Sequence, residues 1–384
     1  MRIGIDASNI GGGGGITHLR EILENFDEVY FADRISKIII FSSQAILDEL
    51  PNSVGFEKVT FPALNKGLLS RIKFQLSGYD KEIEKRCDML FSITGDYIGN
   101  FKPVVAMSRN MLLYERDIWR EIKQPKEIIR FWLNFRKQKR CFKNASGIIF
   151  ISNYAKNYIP KQLELSNKPT KVIHHGLSSK FEGVTKEQKI ISEYSLHKPF
   201  RFIYVSTIHV YKHHWNVVKA IGALRSLGYP VELSLVGGVI FEPAGEKLRV
   251  TIELEDPNHT FIHNKGHVNY IEIEKEYQRA DGIIFASTCE NMPNILMESM
   301  ASGKAIACSD KQPMPEFLKE NGFYFNAKDS DSIFKTLIEF LENPQKRQQY
   351  IRNNNEEIKK YSWEKTSMET FLYILNTYKN FKNV

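Results

Sequence analysis

The stretch FASTCENMPNILMESMASGKAIACSD, residues 285–310, decides the fold class, because it holds one full turn of an α/β alternation. DGIIFAS (281–287) reads as a strand ending at Ser287, and KAIACSD (304–310) reads as the next strand. Between them lies a turn, then Pro293 at a favoured first-turn position of a helix, then Gly303 where the helix must stop. Glu290 precedes that helix and Glu298 lies inside it, with seven residues intervening. A helix start offers free N–H groups and a positive dipole end, suited to a phosphate or a sugar hydroxyl. Two glutamates so spaced also occur on any solvated helix. The order of elements around them is what favours a functional reading.

Working outward, short β-branched runs recur between longer amphipathic stretches. The second half has FRFIYVS (200–206), VELSLVG (231–237) and HTFIHNKG (259–266). The first half has IGIDA (3–7), KIIIFSS (37–43), CDMLFSI (87–93), PVVAMS (103–108) and SGIIFIS (146–152). Several are almost wholly apolar, as strands of a parallel sheet covered on both faces should be. The alternation predicts an α/β protein with two doubly wound, Rossmann-like domains facing across a cleft, ligands lying at the carboxyl ends of the strands. The polar, charged segment 182–199 is the natural linker. The expected domains are therefore 1–185 and 186–362, and a C-terminal helix over about 363–384 can return to the first.

The chain of 384 residues is long enough for two such cores, with 25 Phe and 17 Tyr to fill them. Its four cysteines, Cys87, Cys141, Cys289 and Cys308, are scattered without zinc spacing and read as reduced cytosolic thiols. The amino terminus reads as a strand rather than a targeting segment, and no apolar run reaches the ~18 residues of a membrane span. These features point to a cytoplasmic protein, with a candidate peripheral position on the inner face of the membrane. The net charge of +8 suits nucleic acid, anionic lipid or phosphate-bearing small molecules. No nucleic-acid motif accompanies it, so nucleic acid is not expected as a partner.

The segment 285–310 resembles the signature of the retaining GT-B glycosyltransferases of family 4 (glycosyltransferase group 1), which includes sucrose synthase and bacterial polysaccharide transferases. The resemblance runs along the whole chain and is strongest over 200–326. It implies that Glu290 lies near the donor sugar and that Glu298 holds the nucleotide ribose, with Asn291, Met292, Pro293 and Asn294 completing the donor loop. FRFIYVSTIHVYKHHWNVVKAI (200–221) is similar to the family's strand, turn and lysine-bearing helix start, and Lys212 matches the lysine that grips the donor diphosphate. An ammonium there gains ~1.5–3 kcal/mol from each hydrogen bond to a charged group. Ser206 and Thr207 stand where the family has glycine and arginine, and His209, His213 or His214 are the candidates to compensate. Gly237 and Gly266 match glycines that line the donor, and Glu316 in SDKQPMPEF (309–317) matches a glutamate near base and ribose.

In the first half, IGIDASNIGGGGGITHLREIL (3–23) is a strand, a five-glycine loop and a helix. Gly12, Gly13, Gly14 and Gly15 are the candidates for an acceptor or phosphate loop, since glycines allow close backbone approach. Arg109 and Asn110 take the place where the family often has a histidine near the reacting sugar, which makes Arg109 a catalytic candidate beside Glu290 and Lys212. No metal is expected: the three histidines within 209–214 lack convergent ligands, and Asp329-Ser330-Asp331 reads as a helix cap rather than a DxD site. Residues 126–143 place Ile128, Phe131, Trp132 and Phe135 on one helical stripe among basic residues, a candidate for membrane contact or simply a core face.

The resemblance thus implies a metal-independent, hexosyltransferase-type enzyme without cofactor. It would move sugar from a nucleotide-diphosphate donor to a glycan or lipid-linked glycan, in surface polysaccharide synthesis. The rivals are a non-catalytic nucleotide-sugar binder and another GT-B enzyme such as a phosphorylase or epimerase. A nicotinamide dehydrogenase rests on the glycine run alone, and no acidic residue closes the second strand to support it.

Overall fold

A computed structural model describes residues 1–11, 14–165, 167–181, 183, 185 and 187–383 of the chain. It divides into two compact units: Met1–Arg116, Lys123–Gly176 and Tyr361–Val384 form the first, and Asp117–Ile122 with Leu177–Lys360 form the second.

The first unit is built on a parallel sheet of seven strands. They are β1 (Arg2–Asp6), β2 (Lys37–Phe41), β3 (Phe56–Val59), β4 (Met89–Ser92), β5 (Val104–Ser108), β6 (Gly147–Phe150) and β7 (Thr170–Val172). Their spatial order is β3-β2-β1-β4-β5-β6-β7, with Ile3 level with Ile38 on one side and Met89 on the other. The second unit holds a parallel sheet of six strands: β8 (Phe200–Val205), β9 (Val231–Val236), β10 (Ile262–Asn264), β11 (Gly282–Phe285), β12 (Ala305–Ser309) and β13 (Phe323–Phe325). Their order is β10-β9-β8-β11-β12-β13.

In each sheet the central strands are the apolar runs read from sequence. Every residue of β4, β5, β6, β11 and β12 is buried, which is the environment such runs need. Strand order reverses between β1 and β4 in the first sheet and between β8 and β11 in the second. The loops leaving two strands at such a point run to opposite faces and open a crevice at the carboxyl edge.

The helix Trp363–Lys382 belongs to the first unit although it ends the chain. Ser362 caps it by accepting the Lys365 N–H, Ser367 Oγ donates to the Ile22 carbonyl at 2.7 Å, and Phe371 meets Phe26 edge-on at 4.6 Å. Gly176 lets the chain pass close to its start, since a Cβ there would lie 2.2 Å from the Trp363 nitrogen.

In the second unit the fully buried Arg347, on the helix Pro344–Ile358, donates to the carbonyls of Phe340, Leu341 and Lys189 and to Gln188 Oε1. Burial lowers its pKa to about 10. No acidic side chain is among those four acceptors: backbone carbonyls and a neutral amide bond the guanidinium, and the charge of Asp281 favours it without a direct bond.

The apolar stripe expected over 126–143 divides differently. In the helix Pro125–Asn144 the buried side chains are Phe131, Gln138, Cys141 and Phe142, while Trp132 is 50% exposed and Phe135 half-buried. Phe131, Gln138 and Phe142 recur at seven and four residues and set the core face, leaving Trp132 beyond its edge. Asp329 caps the helix Ser330–Glu342, its Oδ1 accepting the Asp331 N–H at 2.9 Å, as the cap reading of that motif requires. Among the described residues, no helix is long and apolar enough to cross a membrane.

Candidate functional site

The site grows from the carboxyl ends of β8 and β11, the strands between which order reverses in the second sheet. After β8 the chain makes a 3-10 turn at Val210–Lys212 and then enters the helix His214–Ser226. Lys212 therefore sits just before that helix rather than in it. Tyr204 on β8 fixes the turn by donating its hydroxyl to the Lys212 carbonyl at 2.8 Å. His213 takes a left-handed backbone conformation (φ +48°), which swings the chain from turn into helix.

The loop after β11 is tied to this turn at three points. The Thr288 N–H donates to the Tyr211 carbonyl at 2.8 Å. Thr288 Oγ1 lies 3.0 Å from His213 Nε2. The Lys212 ammonium forms an ion pair with Glu290, whose Oε1 also accepts from Ser287 Oγ at 2.7 Å. The Lys212 side chain is 7% exposed and that of Glu290 18%, so this charge pair is largely shielded from water. Such a pair is sensitive to loss of either member, because the survivor is left as a buried charge.

Gly237 ends β9 with φ +148°, and a Cβ there would lie 2.0 Å from the Ser206 carbonyl oxygen, so no side chain fits. Its N–H donates to the Gly266 carbonyl at 2.8 Å, while the Ile208 N–H donates to that of Gly238 at 2.9 Å. The loops after β8, β9 and β10 are thereby laced into one rim. Gly266 has φ +63° with nothing within 4 Å of a Cβ position, and Thr207 is exposed on the same rim.

β11 ends at Phe285, two residues before the strand end read from sequence, and the helix begins at Asn294 with Pro293 as its cap. Asn291, Met292 and Pro293 are buried in the loop between, and Asn294 is half-buried. Glu298 is buried within the helix Asn294–Ala301, and Glu316 is half-buried on the helix Met314–Leu318. Direct contacts thus join Lys212 to Glu290 and Gly237 to Gly266, while Asn291 to Glu298 continue from Glu290 along the chain.

His213 and His214 do not supply the missing cation. His213 is held neutral, its pKa lowered to about 4 by burial and then by Lys328 and Lys247. His214 stacks on Tyr204 at 4.5 Å with its pKa lowered to about 3 by burial and by Lys212. His209 caps the 3-10 turn, its Nδ1 accepting the Val210 N–H, and stacks on Phe241. Among the described residues, no three His, Cys, Asp or Glu side chains converge to hold a metal ion.

In the first unit, Arg109 follows β5 and its guanidinium donates to the carbonyls of Gly14 and Gly15, bracing the start of the helix Gly14–Glu24. Burial lowers its pKa to about 10. Gly12 and Gly13 lie outside the described residues. Below this loop Asp6 is fully buried, its Oδ1 accepting from Ser8 Oγ at 2.6 Å and from the Tyr79 hydroxyl at 2.8 Å.

Sequence reasoning missed Ser287, Thr288 and Tyr204, which fix the Lys212–Glu290 pair. The only sign of the first two was a pair of hydroxyl residues directly after an apolar strand.

Residues 186–357 match the family described as glycosyl transferases group 1. No curated protein matches the chain by sequence. Among solved structures the chain is similar to sucrose-phosphate synthase from Thermosynechococcus elongatus, with TM-score 0.75 and 14% identity over 99% of this chain and 100% of that one. It is similar to Alr3699/HepE of Anabaena, solved in complex with UDP-glucose, with TM-score 0.71 and 16% identity over 99% and 100% of the two chains. It is also similar to an E. coli protein solved with UDP-2-fluoro glucose and described as trehalose-6-phosphate, with TM-score 0.71 and 10% identity over 98% and 99%. Part of the second unit is thus similar to the glycosyl transferases group 1, in a chain whose two parallel-sheet units have the GT-B fold.

Proposed function

We propose that this chain is a glycosyltransferase that takes a sugar from a nucleoside diphosphate donor held by its second unit. The observation that carries the reading is the Lys212–Glu290 pair, shielded from water at the strand-order reversal of a sheet in the region similar to group 1. The bond that breaks joins the sugar's anomeric carbon to the diphosphate, so negative charge grows on the departing phosphate. An ammonium fixed in place before reaction stabilises that charge without having to reorganise. Lys212 supplies it, and Glu290 with Ser287 holds it in position until the diphosphate arrives.

Within this reading Glu298 takes the ribose, and Thr207, Asn291, Met292, Pro293, Asn294, Gly237, Gly266 and Glu316 line the donor. The transfer retains the anomeric configuration, as the resemblance to family 4 implies, and the transferred sugar is a hexose. Lys212 takes the part that a divalent cation plays in other transferases, which makes the reaction metal-independent. The acceptor, a glycan or lipid-linked glycan of a surface polysaccharide, is handled by the first unit through Gly14, Gly15 and Arg109. UDP is the first base to test, because the similar HepE and E. coli structures were solved with UDP-sugars.

A thermal-shift series with UDP, GDP, ADP, dTDP, CMP and NAD, in EDTA, tests this directly. A ligand that binds only the folded state at ~100 times its Kd adds ~2.7 kcal/mol. One nucleoside diphosphate is expected to raise the melting temperature of wild type and to do so far less in Lys212→Ala. A series in which no diphosphate shifts the wild type would remove the donor site, and a shift with NAD alone would point to a dehydrogenase.

A further inference from the structure

The outer face of the helix Pro125–Asn144 has no use in the donor chemistry, and its composition is unusual. Ile129, Trp132 and Leu133 are 58%, 50% and 50% exposed, three large apolar side chains within five residues. At 100° per residue, Lys126, Ile129, Trp132, Leu133, Arg136, Arg140 and Lys143 all fall within one third of the helix circumference. The opposite side is the buried one, marked by Phe131, Gln138 and Phe142. The exposed face thus has an apolar patch in its first half and cations at both ends. Lys137 and Lys139 flank it, and Arg136 lies over the Trp132 ring at 5.3 Å. Glu127 is the helix's only acid, lies off this face, and is paired with Arg130.

A solvated helix has no reason to expose a tryptophan, an isoleucine and a leucine side by side. A nucleic-acid surface needs the cations but gains little from aliphatic side chains against phosphate. An anionic bilayer surface takes both: apolar side chains enter the acyl boundary while lysines and arginines meet the headgroup phosphates. The helix is too polar to span, so it would lie in the plane of the interface.

We propose that this face, centred on Ile129, Trp132 and Leu133 and rimmed by Lys126, Arg136, Arg140 and Lys143, docks the protein on an anionic lipid membrane. The proposal does not use the transferase reading and stands or falls separately from it. Co-sedimentation with vesicles of phosphatidylglycerol and phosphatidylcholine, compared with phosphatidylcholine alone, is the test. Wild type is expected to bind the mixed vesicles and to be released by salt. Ile129→Ser with Leu133→Ser is expected to weaken binding about tenfold. Arg136→Gln with Arg140→Gln should weaken it about fivefold per residue. All four side chains are exposed, so melting temperature and the thermal shift with nucleotide should stay at wild-type values. Vesicles should shift tryptophan emission to the blue in wild type but not in Trp132→Phe. Wild type failing to bind mixed vesicles, or both double variants binding as wild type does, overturns the proposal. So does binding to duplex RNA that needs the arginines but not Ile129 and Leu133. Self-association lost in the apolar variant without vesicle binding would make the face a dimer contact instead, and would equally overturn it.

Discussion

At the scale of single residues, Lys212 and Glu290 of the second unit form a charge pair largely shielded from water. Glu290 neutralises Lys212 and accepts from Ser287, so it both orients the ammonium and compensates its burial. Glu290→Gln keeps the shape and an acceptor for Ser287 but removes the charge. Turnover is expected to fall about 100-fold, the usual scale for losing one fixed electrostatic group. Diphosphate affinity should change far less, since Lys212 remains. Single-turnover rates and nucleotide titrations on the same variant separate the two, and equal losses in both would assign Glu290 to binding alone. Asp6 offers a second residue-scale test. Burial, and then the charge of Asp96, raise its pKa from 3.8 to about 6. A raised acid stabilises the fold below its unfolded pKa and loses that contribution as pH rises through about 6. The charged form therefore carries a cost at neutral pH. Its Oδ2 has no hydrogen-bond partner, so an amide nitrogen placed there would forfeit part of the gain. Asp6→Asn is expected to stabilise by ~1–2 kcal/mol at pH 7.5 and to show no gain by pH 4. Urea unfolding at the two pH values measures this, and an equal gain at both would show that the charge is not the cause.

At the scale of elements, the strands legible in the sequence are the central ones. β1, β2, β4, β5, β6, β8, β11 and β12 are largely buried apolar runs, so their composition alone announces them, while β9 shows itself by the alternation of VELSLV. β3, β7 and β13 went unread, and all three are sheet edges. Their burial is partial, with patterns of mostly half-buried residues in β3 and β7, so no continuous apolar run marks FEKV or TKV. FYF in β13 is too short to stand apart from the turn before it. β10 is also an edge but was legible through Phe261 and Ile262. Arg347 escaped for a related reason: an arginine in PQKRQQY reads as solvated, and only the fold surrounds it with carbonyls. Arg347→Met is expected to destabilise by ~3–5 kcal/mol, because carbonyls lose their donors inside the fold. Its urea midpoint should fall accordingly, and segment 187–190 should become open to protease. A midpoint within experimental error of wild type would refute the assignment.

At the scale of the whole molecule, each unit carries its own acid sensitivity. His18 in the first unit is fully buried, with its pKa far below normal through burial and then His175 and Arg109. His213 and His214 are the equivalents in the second unit, at about 4 and about 3. The folded pKa of each is depressed below the ordinary 6.5, so the unfolded chain binds protons that the folded chain refuses. Stability therefore falls as pH drops below 6.5, by ~2 kcal/mol for each of His213 and His214 on reaching pH 5. In the first unit Asp6 works in the opposite sense below about 6 and offsets part of the loss. The second unit should lose ~4 kcal/mol from its two histidines over that range, and the first unit less, because Asp6 opposes His18. Calorimetry from pH 7.5 to pH 5 should show the second unit's transition moving further, with nucleotide identifying which transition it is. Equal movement of both would mean that other groups dominate.

What the sequence determined by itself is whatever follows from local alternation and spacing. That includes the two parallel-sheet units, the strand–turn–helix–strand order over 281–310, and the placing of Lys212 and Glu290 in the segments between a strand and the next helix. These are readable because a buried parallel strand needs an apolar run, and because ligand-facing residues in such sheets sit where strands end. What only the tertiary structure decided are relations between residues far apart in the chain. Tyr204, Ser287 and Thr288 become the supports of the charge pair only when β8 and β11 lie side by side. The helix Trp363–Lys382 joins the first unit only through contacts made across most of the chain's length. The helix Pro125–Asn144 carries apolar residues on more than one side, and its sequence does not say which side the core takes. Packing buries Phe131 and leaves Ile129, Trp132 and Leu133 outside, because a helix can bury only the face that another layer covers.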